Sequence, residues 1–378
     1  MHLASEVQPR GTRLVALRHL EGLTQGELAL RLSVSQSFIS QVEKQSKALP
    51  MQVAWAACRE FNLPEAFFIV PPDLSEVGVT TFRKSSRASA HDENQVKALF
   101  DEAARLFRMA SISSGYRYVE LSEHALADEE EAAGEVRRSL GIGAGDPIPN
   151  ATRLIERIGA GVIHALSPLE TAARDHDGMS RPNLANDRPL VATVGTQPPA
   201  VSRMTLMHEL GHLIYDSSLS APIRSTRAPE ELRAFRFAGA MLLPASVVRS
   251  RVTESLTLHG YLRIKADYGI SVAAIIKRAS DLRVISPERA RSLFIQHSSQ
   301  GWRRSEPVEV AGEEPLLMSQ AVRRGLGDDV TVVAAETGVS ESLIAHWTDL
   351  GRRSEAEAQV IPLRRSNRKV AVTGPRRP

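Results

Sequence analysis

Hydrophobic residues recur at helical spacing near the start of the chain, between residues 12 and 61. The apolar positions of this segment are Leu14, Leu17, Leu28, Ala29, Leu32, Val34, Ile39 and Val42. Thr24 and Ser35 are residue types that favour helix N-caps, and each precedes a short helical pattern. The pattern therefore predicts two short helices, over 24–32 and 35–43, joined by a short turn, which is a helix-turn-helix.

An apolar helix in the middle of the chain carries two histidines four residues apart. Apolar side chains flank the pentad His208-Glu209-Leu210-Gly211-His212 on both sides. Positions i and i+4 lie on one face of a helix, so both imidazoles can bind one metal ion. Glu209 can then take a proton from a water activated by the metal. A chance match and a solvated helix face are the alternatives, and the apolar flanks argue against the second.

A third ligand is expected from another element, because catalytic zinc usually takes three protein ligands. Residues 230–244 have helical periodicity that places Glu231 on the inward stripe and Glu230 off it, with Pro229 at the helix start. Glu231 is therefore the candidate third ligand. The alternative interpretation is an acid in the first turn, stabilised by the helix dipole.

Both segments resemble the ImmA/IrrE family of zinc metallopeptidases. "RMTLMHELGH", starting at Arg203, is similar to the family motif R-F-T-x-x-H-E-x-G-H, and "EELRAFRFAGAMLLP" is similar to its second motif. The resemblance implies that His208, His212 and Glu231 bind Zn²⁺, with Mn²⁺ as an alternative metal, and that Glu209 is the catalytic base. The chain departs from the family pattern outside the ligands, at Met204, Phe235 and Leu243.

The same resemblance extends to the segments around these motifs. Residues 176–195 are similar to the small sheet of the family, with a turn expected at Asp177-Gly178 and a buried strand over 190–194. Residues 132–166 are similar to its opening helices and first strand, and residues 262–288 to its helical continuation.

The helix-turn-helix resembles the phage-repressor/Cro (XRE) type, with the elements T-Q-x-E-L-A and V-S-Q-x-x-I-S-x-x-E. In that family the second helix enters the major groove of double-stranded DNA. The resemblance implies that the operator is contacted by Gln36, Ser37, Ser40 and Gln41. Glutamine suits bidentate contact with adenine, and Gln25 is expected to meet a phosphate. This domain is nearly charge-balanced, so dimerisation or protein binding by the same bundle is the alternative.

Composition places the chain among multidomain proteins of the cytoplasm. Its 378 residues suffice for two or three cores. No apolar run approaches the roughly 18–20 residues that span a bilayer, and no signal peptide opens the chain, so we expect no membrane partner. The single cysteine, Cys58, excludes an intramolecular disulfide and suits a reducing compartment.

We predict a mainly α protein with a small β-sheet (α+β), in five segments. These are a helix-turn-helix domain at 10–70, a linker with a connecting helix at 71–127, a zincin-like metallopeptidase domain at 128–300, a helical C-terminal region at 301–351, and a basic, disordered tail at 352–378. The apolar stripe of the connecting helix includes Val96, Leu99 and Phe107. If this stripe covered the metal cleft, the helix would gate the peptidase; simple tethering of two activities is the alternative.

The sequence thus predicts a DNA-binding transcriptional regulator with a zinc endopeptidase domain. The resemblance implies cleavage of an XRE-type repressor, which would relieve repression in a stress, mobile-element or phage response, and a homodimer on a near-palindromic operator. One alternative is a regulator whose metallopeptidase fold is a sensor or effector module. Another is a toxin–antitoxin or phage-immunity regulator. Self-cleavage within 71–91 is a further hypothesis.

Overall fold

The computed structural model describes residues 8–84, 89–116, 128–168, 176–183, 185–223 and 225–351. The predicted basic tail at 352–378 lies outside the described residues. Within the described ranges, no helix is both long and apolar enough to span a bilayer. The architecture is mainly α with a small sheet, as the sequence predicts.

The N-terminal domain is a helical bundle whose helix starts are fixed by side-chain caps. The Thr24 hydroxyl accepts from the backbone N–H of Glu27, and the Glu27 carboxylate accepts in return from the N–H of Thr24. Ser35 caps the next helix by accepting from the N–H of Phe38. These caps supply partners for helix N-terminal N–H groups that have none within the helix. The helices are Thr12–Leu20, Gln25–Arg31, Gln36–Glu43 and Met51–Glu60, followed by a 3₁₀ turn at Glu65–Phe68.

The described strands form one four-stranded sheet in the order β1-β3-β4-β2. The strands are β1 (Thr81–Lys84), β2 (Gly161–Ile163), β3 (His176–Ser180) and β4 (Leu190–Thr193). β1 and β4 are antiparallel to β3, whereas β2 is parallel to β4. The expected turn at Asp177-Gly178 was wrong, because both residues lie inside β3. Gly178 serves close packing instead: a Cβ there would lie 2.4 Å from Cγ2 of Thr205.

Each face of the sheet is covered by a separate group of helices. Val162 and Val191 point to the larger core, which contains the HExxH helix (Pro199–Tyr215) and the glutamate helix (Pro229–Leu242). Ile163 and Ala192 point to a second core on the opposite face. The other helices of the larger core are Glu129–Ser139, Ala151–Ile158, Ala245–Arg251, Tyr261–Tyr268, Val272–Asp281 and Pro287–Ser299.

The second core contains the connecting helix, Ala90–Ser114, together with the C-terminal helices. Phe100 and Phe107 of the connecting helix pack there with residues of Leu317–Gly325, Val330–Thr337 and Glu341–Trp347. The connecting helix therefore lies across the sheet from the HExxH helix. The hypothesis that its apolar stripe covers the metal cleft was wrong, because the sheet and the C-terminal helices bury that stripe instead.

A buried ion network attaches the N-terminal bundle to the connecting helix. Arg13 forms a bidentate ion pair with Glu102, at 2.5 Å and 3.1 Å, and donates from Nε to the carbonyl of Phe67 at 2.9 Å. Arg105 also contacts Glu102 and donates to the carbonyl of Thr337. Burial alone would raise the pKa of Glu102, but the two guanidinium groups more than offset it and lower the pKa to about 2. Glu102 is therefore ionised in the folded protein at neutral pH.

Candidate metal centre

The HExxH helix presents its two histidines side by side in the larger core. Pro199 opens this helix at a position where proline costs no hydrogen bond. Nε2 of His208 and Nε2 of His212 are 3.1 Å apart, and the side chains are nearly fully buried. Two imidazole nitrogens at this separation can share one ion.

Glu231, in the first turn of the glutamate helix, completes the group. Its carboxylate oxygens lie 3.2 Å from Nε2 of His208 and 3.5 Å from Nε2 of His212. The two helices approach closely at Gly211, where a Cβ would lie 3.1 Å from Cα of Ala234. Among the described residues, His208, His212 and Glu231 form the one group of metal-binding type, with ligand atoms all within 4.8 Å of one another.

The geometry of this group fits a zinc ion. A tetrahedral ion with bonds near 2.1 Å holds its ligand atoms roughly 3.4 Å apart, and the three measured separations are 3.1, 3.2 and 3.5 Å. Two imidazoles and one carboxylate are also the donor set of many catalytic zinc sites, which keep a fourth position for water. The residues present therefore fit the metal that the sequence predicts.

Charge at the site favours a bound cation. Burial would raise the pKa of Glu231, but hydrogen bonds with His208 and His212 lower it to about 2. For the imidazole of His212 the directions are reversed: burial would lower its pKa, but hydrogen bonds with Asp216 and Glu231 raise it to about 10. The negative charge of Glu209 also raises the pKa of His212, so three carboxylates produce a negative electrostatic potential at this imidazole. A metal ion would take the place of the proton that this potential attracts.

Asp216 holds the outer nitrogen of His212. Its Oδ2 lies 2.6 Å from Nδ1 of His212, and its other oxygen accepts from Arg233. This contact directs Nε2 of His212 toward Glu231 and fixes the ring orientation, as is usual for metal-binding histidines. Asp216 could have been found from the sequence, because it follows His212 by four residues and lies at the C-cap of the same helix.

Glu209 lies on the sheet side of the histidines and is held by β3. The hydroxyl of Ser180 donates to Oε2 of Glu209 at 2.6 Å, and Glu209 has no exposed surface. A Cβ at position 178 would lie 2.9 Å from Oε1 of Glu209, so the glycine makes room for the carboxylate. Ser180 could not be found from the sequence, because nothing in the local pattern links it to Glu209, 29 residues away.

A cleft of about 510 Å³ reaches the candidate metal centre from outside. His208 and Glu231 lie on its wall, together with Phe235 from the glutamate helix and Lys277 from the helix Val272–Asp281. A small molecule or a side chain in this cleft would therefore reach His208 and Glu231.

The predicted DNA-contacting residues lie far from this site in the chain, on the N-terminal bundle. Gln36, Ser37 and Gln41 of the recognition helix (Gln36–Glu43) are exposed, and Ser40 is half-buried. Gln25 is also half-buried, and its amide donates to Oε2 of Glu43 at 2.7 Å. The amide carries a second N–H, so binding of a phosphate does not require loss of this contact. The DNA contacts remain predictions.

Comparison with known families agrees with this division of the chain. Residues 14–68 match the model of the helix-turn-helix family, and residues 162–280 match the model of the IrrE N-terminal-like domain, a family of peptidases. The comparison with curated proteins finds no match. The chain therefore joins an XRE-type helix-turn-helix domain to an IrrE/ImmA-like domain of a metallopeptidase family, which confirms the predicted fusion.

Proposed function

We propose that this protein is a DNA-binding transcriptional regulator whose second domain is a zinc-dependent endopeptidase that cleaves a repressor-type protein and so relieves repression. The observation that carries the proposal is the convergence of His208, His212 and Glu231 beside Glu209, within a domain that matches a peptidase family. A purely structural metal site would have no need of a carboxylate beside the ligands. We expect the protein to act in the cytoplasm, where its operator and its substrate would be found.

The chain's own residues have distinct roles in this proposal. His208, His212 and Glu231 would hold the metal, which when bound supplies Lewis acidity to the scissile carbonyl and to the attacking water. Glu209 would accept the proton of that water and donate it to the leaving amine. Ser180 keeps the Glu209 carboxylate in one orientation by donating to Oε2.

The helix-turn-helix domain would bring the peptidase to an operator in double-stranded DNA. Its exposed Gln36, Ser37 and Gln41, with Ser40 beside them, would meet base edges, and Gln25 would meet a phosphate. Repressors of this type bind near-palindromic sites as dimers, so we expect a homodimer on DNA. The order of events, from stress or phage signal to cleavage, belongs to the same proposal.

Cleavage by the purified full-length chain tests the peptidase assignment. The chain is incubated with zinc or manganese, alone and with candidate XRE-type repressors, and products are mapped by mass spectrometry. Glu209→Gln is the matched control: it should keep the metal and lose about 10²- to 10⁴-fold in rate, the range of general-base catalysis. Equal cleavage by the Glu209→Gln variant would contradict the role of Glu209.

A second candidate function is a regulator whose peptidase fold senses a ligand without cutting. The complete burial of Glu209 favours this alternative, because a catalytic base must reach water. Zinc binding without cleavage of any candidate, in both the unmodified chain and Glu209→Gln, would support the sensor.

A further inference from the structure

One strand of the sheet comes from outside the peptidase-family match. That match begins at residue 162 and includes β3, β4 and nearly all of β2, whereas β1 (Thr81–Lys84) belongs to the segment after the helix-turn-helix. β1 pairs antiparallel with β3, with Thr81 opposite Ser180 and Phe82 opposite Met179. β1 therefore covers an edge of β3 that the matched domain would otherwise leave open.

The covered edge is the one beside Glu209. Oγ1 of Thr81 lies 2.7 Å from Oγ of Ser180, which in turn donates to Oε2 of Glu209 at 2.6 Å. Thr81 is 1% exposed, and Ser180 and Glu209 are 0% exposed. A hydrogen-bonded chain thus runs from the linker to the candidate base. The cleft opens toward His208 and Glu231, while β1 closes the sheet side.

An open strand edge beside a peptidase base is a binding site for an extended peptide. Unpaired N–H and C=O groups on such an edge accept another strand by backbone hydrogen bonding. We propose that the edge of β3 is the peptide-binding edge of this domain, and that the chain's own β1 occupies it as a substrate-like strand that must leave before another peptide binds. This inference rests on the proposed peptidase function.

The residues before β1 connect this strand to the helix-turn-helix domain. Arg10 donates to the carbonyl of Val70 at 2.8 Å and lies 3.3 Å from a carboxylate oxygen of Glu76. On the peptidase side, Asn183 donates to the carbonyl of Val77 at 3.0 Å, and Arg181 contacts the carbonyl of Ser75. Residues 70–77 are therefore held from both sides, and they connect the helix-turn-helix domain to the residues just before β1.

Binding of a peptide in trans tests the proposal without requiring catalysis. The probe is a fluorescein-labelled peptide with the sequence of residues 76–89, EVGVTTFRKSSRAS. It is titrated into the full, zinc-loaded chain in a Glu209→Gln background, with fluorescence anisotropy as the readout. Phe82→Pro removes a backbone donor from β1 and disfavours its pairing, so we expect at least tenfold tighter binding of the peptide than in the parent.

A matched pair of threonine variants separates the hydrogen-bonded chain from general loosening. Thr81→Ala removes the hydroxyl that contacts Ser180 and should tighten peptide binding severalfold. Thr80→Ala, a change of the same size at the neighbouring buried threonine, should leave it unchanged. Equal binding of the peptide to the parent, Phe82→Pro and Thr81→Ala would overturn the proposal.

A disulfide across the two strands keeps the test decisive if the proline variant fails to fold. Phe82→Cys with Met179→Cys places two thiols at directly opposed positions, on strands close enough for a disulfide. Oxidation should abolish peptide binding and reduction should restore it; binding that is the same in both states would contradict the inference. If the opened chain binds the peptide but cuts neither it nor any repressor when Glu209 is restored, the peptidase proposal fails while the edge assignment stands.

Discussion

The candidate metal centre and the recognition helix place their functional side chains in opposite environments. His208, His212 and Glu231 are 3%, 1% and 6% exposed and contact one another across two helices. Gln36, by contrast, is exposed on a helix that is fixed by its own N-cap. The folded chain alone brings the candidate metal ligands together, whereas we expect the recognition helix to make its contacts only with DNA.

This difference in burial determines which property a substitution changes in each region. A buried polar group that loses its partner carries the full desolvation penalty, while an exposed one regains water. Substitutions around the metal centre should therefore affect metal binding or stability even without a substrate. Substitutions on the recognition helix should change only DNA binding.

The largest effect is expected where the N-terminal bundle contacts the connecting helix, at Glu102. Because its pKa of about 2 in the folded protein lies below the ordinary 4.5, its stabilising contribution is complete above about pH 4.5 and is lost as the pH falls toward 2. Glu102→Gln leaves Arg13 and Arg105 without their shared carboxylate. It should lower the free energy of unfolding by about 3–5 kcal/mol at pH 7, measured by urea denaturation.

The control for this change is Glu336→Gln, at an exposed glutamate of the neighbouring helix. It should alter the free energy of unfolding by less than about 0.5 kcal/mol. The difference in the free energy of unfolding between the unmodified chain and Glu102→Gln should also decrease as the pH falls below 4.5. A difference that stays constant down to pH 2 would show that the charge of Glu102 does not stabilise the contact between the N-terminal bundle and the connecting helix.

The recognition helix should respond only in DNA binding. Gln36→Ala and Gln41→Ala should each lower the preference for the operator by about 1–3 kcal/mol if they make bidentate base contacts. Fluorescence anisotropy with selected and scrambled duplexes at fixed salt measures this, and the free energy of unfolding should stay unchanged.

Gln25→Ala is the contrasting variant on the same domain. It should weaken binding to all duplexes alike, since a phosphate contact carries no sequence information. If the unmodified chain and the double variant Gln36→Ala/Gln41→Ala bind every duplex equally, the bundle serves protein interaction instead.

An effect of similar size, but on metal binding, is expected at the outer contact of the metal centre. Asp216→Asn removes the charge that orients His212 and should weaken zinc binding about 10- to 100-fold, measured by competition with a chelator. Asp281→Asn is the control, because Asp281 lies on the same cleft but pairs with Lys277. An unchanged zinc affinity in Asp216→Asn would mean that packing alone positions His212.

Local periodicity and the family resemblance were enough to identify the candidate metal ligands that the fold brings together, and periodicity with cap residues identified the helix starts; neither showed how distant segments pair. His208 and His212 share a helix face, and Glu231 lies on an inward stripe, so spacing and resemblance could identify all three. Ser180 and Thr81 could not be found this way, because they meet across 99 residues of chain. Gly178 was misread as a turn residue because the sequence does not show that the side chains of Thr205 and Glu209 approach it.

The packing partners of the connecting helix could not be predicted for the same reason. Its apolar stripe was visible in the sequence, but its partners lie in the strands and beyond residue 316, more than 200 residues away. The predicted boundaries place the connecting helix in the segment 71–127 and the C-terminal helices in the segment 301–351, although these helices pack in one core. Contacts at such separations are set by topology, which periodicity does not encode.

The central claim is that His208, His212 and Glu231 bind one zinc ion in the full chain while Glu209 stays outside the coordination sphere. X-ray absorption spectroscopy at the zinc edge, on the protein with one equivalent of zinc, tests it most directly. We expect two imidazole ligands, with nitrogen and oxygen donors at about 2.0–2.2 Å, and the same spectrum in Glu209→Gln. A spectrum without imidazole scattering, or one that changes ligand number in Glu209→Gln, would contradict it.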